Sequence, residues 1–242
     1  MKNLLCSFFS CLLFVGNSVA QILGESSDVR AKDEAGEPIV LRSFEIGGSQ
    51  ARFTPSASNN GEVQYFLNRP LLSFLLRQDN SLLFFDYSNR KVDGEEVGLN
   101  AFGAKFDFEF LLTDYRNTFK PMIALSIIAD LIQADRRGNV ERDNPRLTSL
   151  CIGGGGGFNY STRKMICVVK GEAFVGFGTQ GFSAAAGSAR GFLIDAAVQF
   201  PKLIGSYGIA ISYRLRYTIS DYSEDRYDYL FNINSLTVGI SF

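Results

Sequence analysis

The chain has 242 residues, enough for one domain, with 46% hydrophobic and 20% charged residues and a net charge of −1, so no global field or basic block favours a nucleic-acid partner. It holds 22 Phe, 10 Tyr and 24 Gly, only 6 Pro, and neither Trp nor His. A Ser–His hydrolase or an Asp–His protease is therefore excluded, and with carboxylates and Cys as the remaining ligands neither a transition metal, nor another cofactor, nor enzyme activity is expected.

The first element reads as an export signal. Lys2 supplies a positive start, residues 4–15 form an apolar run with only small polar interruptions, and Ser18-Val19-Ala20 places small side chains ahead of a cleavage point at Gln21. The apolar run is shorter than the roughly 20 residues of a spanning helix, and a lipid anchor at Cys11 leaves too short an apolar region before it. Residues 1–20 are thus a signal peptide, 21–38, polar and acidic, a flexible periplasmic lead-in, and 39–242 a single domain. Later in the chain no apolar stretch is long enough for a transmembrane helix; the pattern there has period 2.

Two weak strands come first, 39–47 and 63–76, joined by a turn-rich segment holding Pro55, Asn59, Asn60 and Gly61. Arg69 and Pro70 interrupt the second, and 77–80 reads as a tight turn into a strand at 82–87. From there the alternation is clear. In 102–112, Phe102, Ala104, Phe106, Phe108, Phe110 and Leu112 share one face, and Gly103, Lys105, Asp107, Glu109 and Leu111 the other. In 121–132 an aliphatic face opposes Ser126 and Asp130. In 150–160, Leu150, Ile152, Phe158 and Tyr160 oppose glycines. In 165–177, Met165, Cys167, Val169, Ala173, Val175 and Phe177 oppose Lys170 and Glu172, so Cys151 and Cys167 fall on opposite faces of adjacent strands and no disulfide is expected. In 192–200 an apolar face opposes Asp195 and Gln199. The longest run is 207–219, where Tyr, Ile and Leu at odd positions alternate with Gly208, Ala210, Ser212, Arg214, Arg216 and Thr218. Finally Leu236, Val238, Ile240 and Phe242 alternate with Ser235, Thr237, Gly239 and Ser241. Connections alternate in length: 77–80, 113–120, 161–164 and 201–206 are short, and 89–98, 133–146, 178–190 and 220–230 are long.

An export signal, a series of two-faced strands and a last amphipathic strand ending on the aromatic Phe242 together resemble bacterial outer-membrane β-barrel proteins of the small OmpA/OmpX-like class. The resemblance implies an all-β fold, a closed antiparallel transmembrane β-barrel of ten strands, or of eight with an N-terminal periplasmic extension if the two weak strands are not counted. It implies a place in the bacterial outer membrane and contact with outer-membrane lipids and lipopolysaccharide. It also implies that the barrel-assembly machinery reads Leu236, Val238, Ile240 and Phe242 during insertion.

In such a barrel the polar face lines a narrow lumen, where Lys105, Lys170, Arg214 and Arg216 meet Asp107, Glu109, Asp130, Glu172 and Asp195. Buried charges must pair, so these either plug the lumen or line a polar path for a small solute or ion. At least one of Arg214 and Arg216 is expected to pair with a carboxylate, Asp195 being nearest in sequence and Asp107, Glu109 and Glu172 lying across the lumen. The run 153–157 lacks the Lys-Ser/Thr and helix of a phosphate loop, and its inward glycines are expected to admit a large neighbour such as Arg214 or Phe174. Ser161-Thr162-Arg163-Lys164 matches a Ser-x-x-Lys pattern without its companion motifs. Tyr222, Tyr227 and Tyr229 among Asp221, Glu224, Asp225 and Asp228, with the charged segment 135–143, offer outer-loop contacts to lipopolysaccharide, divalent cations or a surface partner. The function expected is a non-enzymatic barrel serving envelope structure or surface interaction. A narrow channel or small-solute transporter is the alternative, and a soluble secreted β-sandwich binding module is a third class.

Overall fold

The computed structural model describes residues 42–55, 65–66, 71–92, 95–114, 117–137, 146–180, 186–222 and 228–242. The export signal, the lead-in and the outer-loop residues Tyr227, Glu224 and Asp225 lie outside this set. The described residues form eleven strands: β1 (Arg42–Pro55), β2 (Tyr65–Phe66), β3 (Leu71–Gln78), β4 (Ser81–Val92), β5 (Glu95–Leu111), β6 (Phe119–Arg137), β7 (Arg146–Ser161), β8 (Ile166–Gln180), β9 (Ala186–Ile204), β10 (Tyr207–Tyr222) and β11 (Tyr229–Ser241). Each pairs antiparallel with its neighbours, and β11 also pairs with β1, so the sheet closes. Both β2 and β3 pair with β1 as two parts of one ring position, which makes ten positions. The two pairings are out of step, Ser49↔Leu71 in β3 and Arg52↔Phe66 in β2, and Arg69 and Pro70, expected to interrupt this strand, lie outside the described residues.

Register fixes the barrel's dimensions. Following paired residues once round from Ser43, through Arg77, Leu82, Lys105, Ile128, Cys151, Gly176, Ala189, Ser220 and Tyr229, returns to β1 at Pro55, twelve positions beyond the start. Twelve residues of climb over ten strands correspond to a tilt of about 40° and a backbone radius of about 10 Å. The climb is even, so a residue facing inward meets inward neighbours all the way round.

The two faces separate as the alternation requires. Phe110, Ile123, Leu125, Leu150, Ile152, Phe177, Ile209, Ile211, Leu236, Val238, Ile240 and Phe242 stand exposed outside, while Lys105, Asp130, Glu172, Asp195, Arg214 and Arg216 are buried inside. Arg216 is 2% exposed and Phe177 79%, the inverse of a water-soluble protein. Along β10 the outer apolar face from Tyr207 to Ile219 spans about 30 Å of axis at this tilt, the thickness of a bilayer's hydrocarbon core. Aromatic pairs stack across strands in this belt, as Phe192 does on Tyr217 with centroids 5.4 Å apart.

Several connections differ from expectation, always because ladder hydrogen bonds extend into residues whose side chains favour turns. The segment 48–55 is not a turn but the upper half of β1, paired with β11 as far as Pro55↔Tyr229. The turn at 77–80 shrinks to Asp79–Asn80, with Gln78 opposite Ser81 and Asp79 at φ 51°, a left-handed conformation Asp tolerates. The long connections at 89–98 and 178–190 are mostly strand: β4 pairs with β5 as far as Val92↔Glu95, and β8 with β9 as far as Thr179↔Ala186. Cys151 is buried inside, Cys167 lies on the outer face, and both thiols are free.

If this outer face contacts lipid, Val238→Arg places a guanidinium near the middle of the belt. Its stability in phospholipid vesicles is expected to fall by roughly 2–4 kcal/mol. The urea unfolding midpoint of the inserted protein measures this, and an unchanged midpoint rules out a lipid-facing Val238.

Candidate functional site

The interior is layered. At the end bearing the longer loops, Leu71, Leu99, Ile132, Leu147, Phe231 and Ile233 pack inside the ring with Ala51, Ala101 and the stacked Tyr222–Tyr229 pair, each 3% exposed or less. Below them, at the level of the apolar belt, lie the charges.

Two arginines of β10 span the lumen. Nη2 of Arg214 donates to Oδ2 of Asp86 on β4 at 2.6 Å, and Ser73 donates to the other oxygen of the same carboxylate. Arg216 engages both oxygens of Asp130 on β6, a fork that Ser149 extends at 3.3 Å. Each guanidinium also lies over an aromatic ring, Arg214 4.0 Å from the centroid of Phe84 and Arg216 5.4 Å from that of Phe174. Glycines make room for these rings. A Cβ on Gly103 would stand 2.1 Å from the Phe84 ring and 2.6 Å from Asp130, and one on Gly191 would stand 2.8 Å from Phe174. In the 153–157 run, Gly153 lies beside Phe174 and Ser126, and the strand continues through Phe158.

A second group lies nearer the tight turns. Arg77 grips Asp195 with Nη1–Oδ2 3.0 Å and Nη2–Oδ1 2.9 Å. Nζ of Lys105 bridges Asp107 at 2.9 Å and Glu172 at 2.6 Å, and Lys170 bridges Asp107 and Glu109, the latter at 2.9 Å. Glu45 has no cation within ion-pair distance among the described residues. Its oxygens instead accept from Ser43 at 2.7 Å, Ser212 at 2.9 Å and Thr237 at 2.7 Å, enough to hold a buried carboxylate.

Of the nine charges expected in the lumen, eight are buried and the partly exposed Glu109 pairs with Lys170, but the arginine partners differ from expectation. Asp195 is directly opposite Arg214 in register, yet Arg77 from the far wall occupies both its oxygens, and Arg214 reaches Asp86 instead. Asp107, Glu109 and Glu172 serve the lysines. Arg77, Asp86 and Glu45 were not anticipated. Their strands carry apolar residues on both faces, such as Leu71 and Leu75 inside with Leu72 and Leu76 outside, so alternation gives little contrast. Carrying the period two residues past Leu75 would have found Arg77. At the turn end, Ser161 accepts from Nζ of Lys120 at 2.7 Å, not from Lys164, while Thr162 closes the turn onto Met165 at 3.1 Å. The expected assembly residues Leu236, Val238, Ile240 and Phe242 lie on the outer face at the β11–β1 seam.

A closed ten-position antiparallel ring, apolar outside and filled with paired charge inside, is the architecture of transmembrane β-barrels. Solved structures it is similar to are outer-membrane barrels. The protease OmpT of Escherichia coli matches with a TM-score of 0.40 at 8% identity, over 84% of this chain and 96% of that one. Ail, the attachment invasion locus protein of Yersinia pestis, solved with the heparin analogue sucrose octasulfate, matches with 0.30 at 14%, over 84% and 99%. The translocator domain of the autotransporter NalP of Neisseria meningitidis matches with 0.30 at 10%, over 96% of each. No family model matches the chain, and no curated protein matches it in sequence.

Removing one partner of a buried pair leaves an uncompensated charge. Arg216→Ala is expected to destabilise the folded barrel by about 3–5 kcal/mol, and the double change with Asp130→Ala by less than the sum of the singles. A double-mutant cycle on denaturant unfolding in detergent reads the coupling, and additivity would mean the pair is not formed. Gly103→Ala, which drives a methyl into Phe84 and Asp130, is expected to cost about 1–3 kcal/mol in the same assay.

Proposed function

We propose that this chain is an integral protein of the bacterial outer membrane with a closed lumen, non-enzymatic, serving envelope structure or surface interaction through the loops opposite its tight turns. The observation that carries this reading is the pairing of charges across the interior. Arg214–Asp86 and Arg77–Asp195 join strands four ring positions apart, so the pairs lie across the path a solute would take. The apolar layer above supports it, since side chains that exclude water give an ion no hydration. Absence of His removes the commonest general base and supports a non-enzymatic role. The tight turns at 79–80, 162–165 and 205–206 share the end where β1 meets Ser241, and that end is assigned to the periplasm because such barrels keep short turns there.

Planar-bilayer recording of the purified chain tests the closed lumen. No unitary conductance is expected across ±100 mV, a range about the size of a physiological membrane potential. Steady, reproducible single-channel steps would favour the narrow channel or small-solute transporter in its place.

A further inference from the structure

Outside the barrel, the closing seam breaks the apolar belt. The ladder climbs about 1.2 residues per strand, so residues at one level along the axis can be matched round the ring. Just below the belt's loop-side edge, the six ring positions from β3 to β8 present Leu72, Tyr87, Phe102, Leu131, Leu150 and Val175 outward, and β9 and β10 present Arg190 and Tyr217. At this level the β11–β1 seam presents amides, Asn232 and Asn234 on one strand and Gln50 on the other, with Gln50 opposite Asn234 in register. Gln50 is exposed and both Asn are half-buried. Arg52, one outward position higher, is already engaged within its own chain. The Tyr213 hydroxyl donates to Oδ1 of Asn234 at 3.1 Å, which leaves that side chain its N–H groups, and Oδ1 of Asn232 has no hydrogen-bond partner among the described residues. Directly below, Gly48 on β1 pairs with the exposed Leu236 on β11, so a hollow lies beside a large side chain.

Amides facing hydrocarbon are costly unless other polar groups meet them at the same depth. A membrane fixes the depth and orientation of every copy, so a two-fold axis along its normal brings each residue to the level of its own equivalent. Set on the seam, such an axis lays β11 of one copy against β1 of the other. Gln50 then falls, in level, between Asn232 and Asn234 of the partner. There its N–H groups can donate to the unpartnered oxygen of Asn232, and its carbonyl can accept from Asn234. Leu236 falls opposite the bare backbone of Gly48, and Val238 opposite Ile46, so knob meets hollow and apolar meets apolar. On a wall of roughly 10 Å radius, curvature limits the contact to about three strands, and Arg190, more than two ring positions from the axis, stays clear of it. We propose that the β11–β1 seam is a two-fold interface between two copies of this chain in the membrane, with Gln50 of each bridging Asn232 and Asn234 of the other. This rests on the membrane reading above and goes beyond it in naming the partner and the wall that the partner covers.

The chain is inserted in phospholipid vesicles and labelled at Lys164→Cys on the exposed 162–165 turn, with the outward Cys167 changed to Ser and Cys151 shielded inside the barrel. Copies per spot are counted by photobleaching steps over a range of protein-to-lipid ratios. Paired steps are expected, and Gln50→Leu is expected to weaken association about tenfold, one bridging amide being lost from each copy. Because a seam variant can fail to assemble, contact is also read on Ile46→Cys, outside the amide group. It is expected to cross-link to its equivalent through a short bis-maleimide, while Leu150→Cys on the opposite wall gives no product. Single steps at every ratio, association that Gln50→Leu leaves unchanged, or cross-linking through Leu150→Cys and not Ile46→Cys overturns the proposal. A chain that never inserts into vesicles defeats the membrane reading itself, and an inserted chain that stays single defeats this inference alone.

Discussion

In a hydrocarbon surround, every backbone amide and carbonyl must find its partner within the chain, and this constraint organises the molecule. It is met by the β1–β11 seam, thirteen residue pairs long from Ser43↔Ser241 to Pro55↔Tyr229, without which a ten-position sheet would present two unpaired edges to lipid. The same constraint explains why strands run on through turn-forming residues. Backbone hydrogen bonds gained in the ladder outweigh the local preference of Ser, Gln and Pro in the upper half of β1, because an early turn would strand those of β11. Once the ring closes with a twelve-residue climb, its radius follows, and the inward side chains have to fill that cross-section.

They fill it in two ways. Near the loops the filling is aliphatic and aromatic, as in a soluble core. At the level of the belt it is ionic, and the two arginines of β10 are built alike: a glycine on a neighbouring strand admits an aromatic ring, the ring carries a guanidinium, and the guanidinium crosses to a carboxylate. In the first, Gly103 admits Phe84, which carries Arg214 to Asp86; in the second, Gly191 admits Phe174, which carries Arg216 to Asp130. Gly103 belongs to both, since a side chain there would meet the ring of one and the carboxylate of the other.

How much of this could be read from residues alone follows from contrast between faces. On β5 to β11 the outward face is largely apolar while the inward face carries small or charged residues over much of its length, so strand, face and lumen charges are legible together; the thirteen-residue alternation of β10 is the plainest case. On β1, β3 and β4 apolar residues occupy both faces, and the ion pairs' other halves, Arg77 and Asp86, stayed hidden although both stand at inward parity. That the lumen charges pair was legible, but which partner each takes across the lumen was not. It depends on which opposite strands the climb brings to one level, and a sequence carries no direct record of that. Nearness in chain order pointed Arg214 to Asp195; nearness across a ring of about 10 Å radius gave Asp195 to Arg77.

That exchange bears on why ions occupy the interior when apolar side chains would fill it with less desolvation cost. Buried pairs add little net stability, but they discriminate strongly among arrangements. A two-residue slip of β10 keeps every side chain on its own face, so the apolar pattern does not oppose it. It would, however, carry Arg216 toward the level of Arg214 and leave Asp130 without its countercharge, a buried carboxylate held by Ser149 alone. The alternation of faces decides which side of each strand looks inward, and the forked arginine pairs decide how far each strand has slid. Both are needed, because a barrel with the right faces and the wrong climb would still close, at a different radius and around orphaned charge.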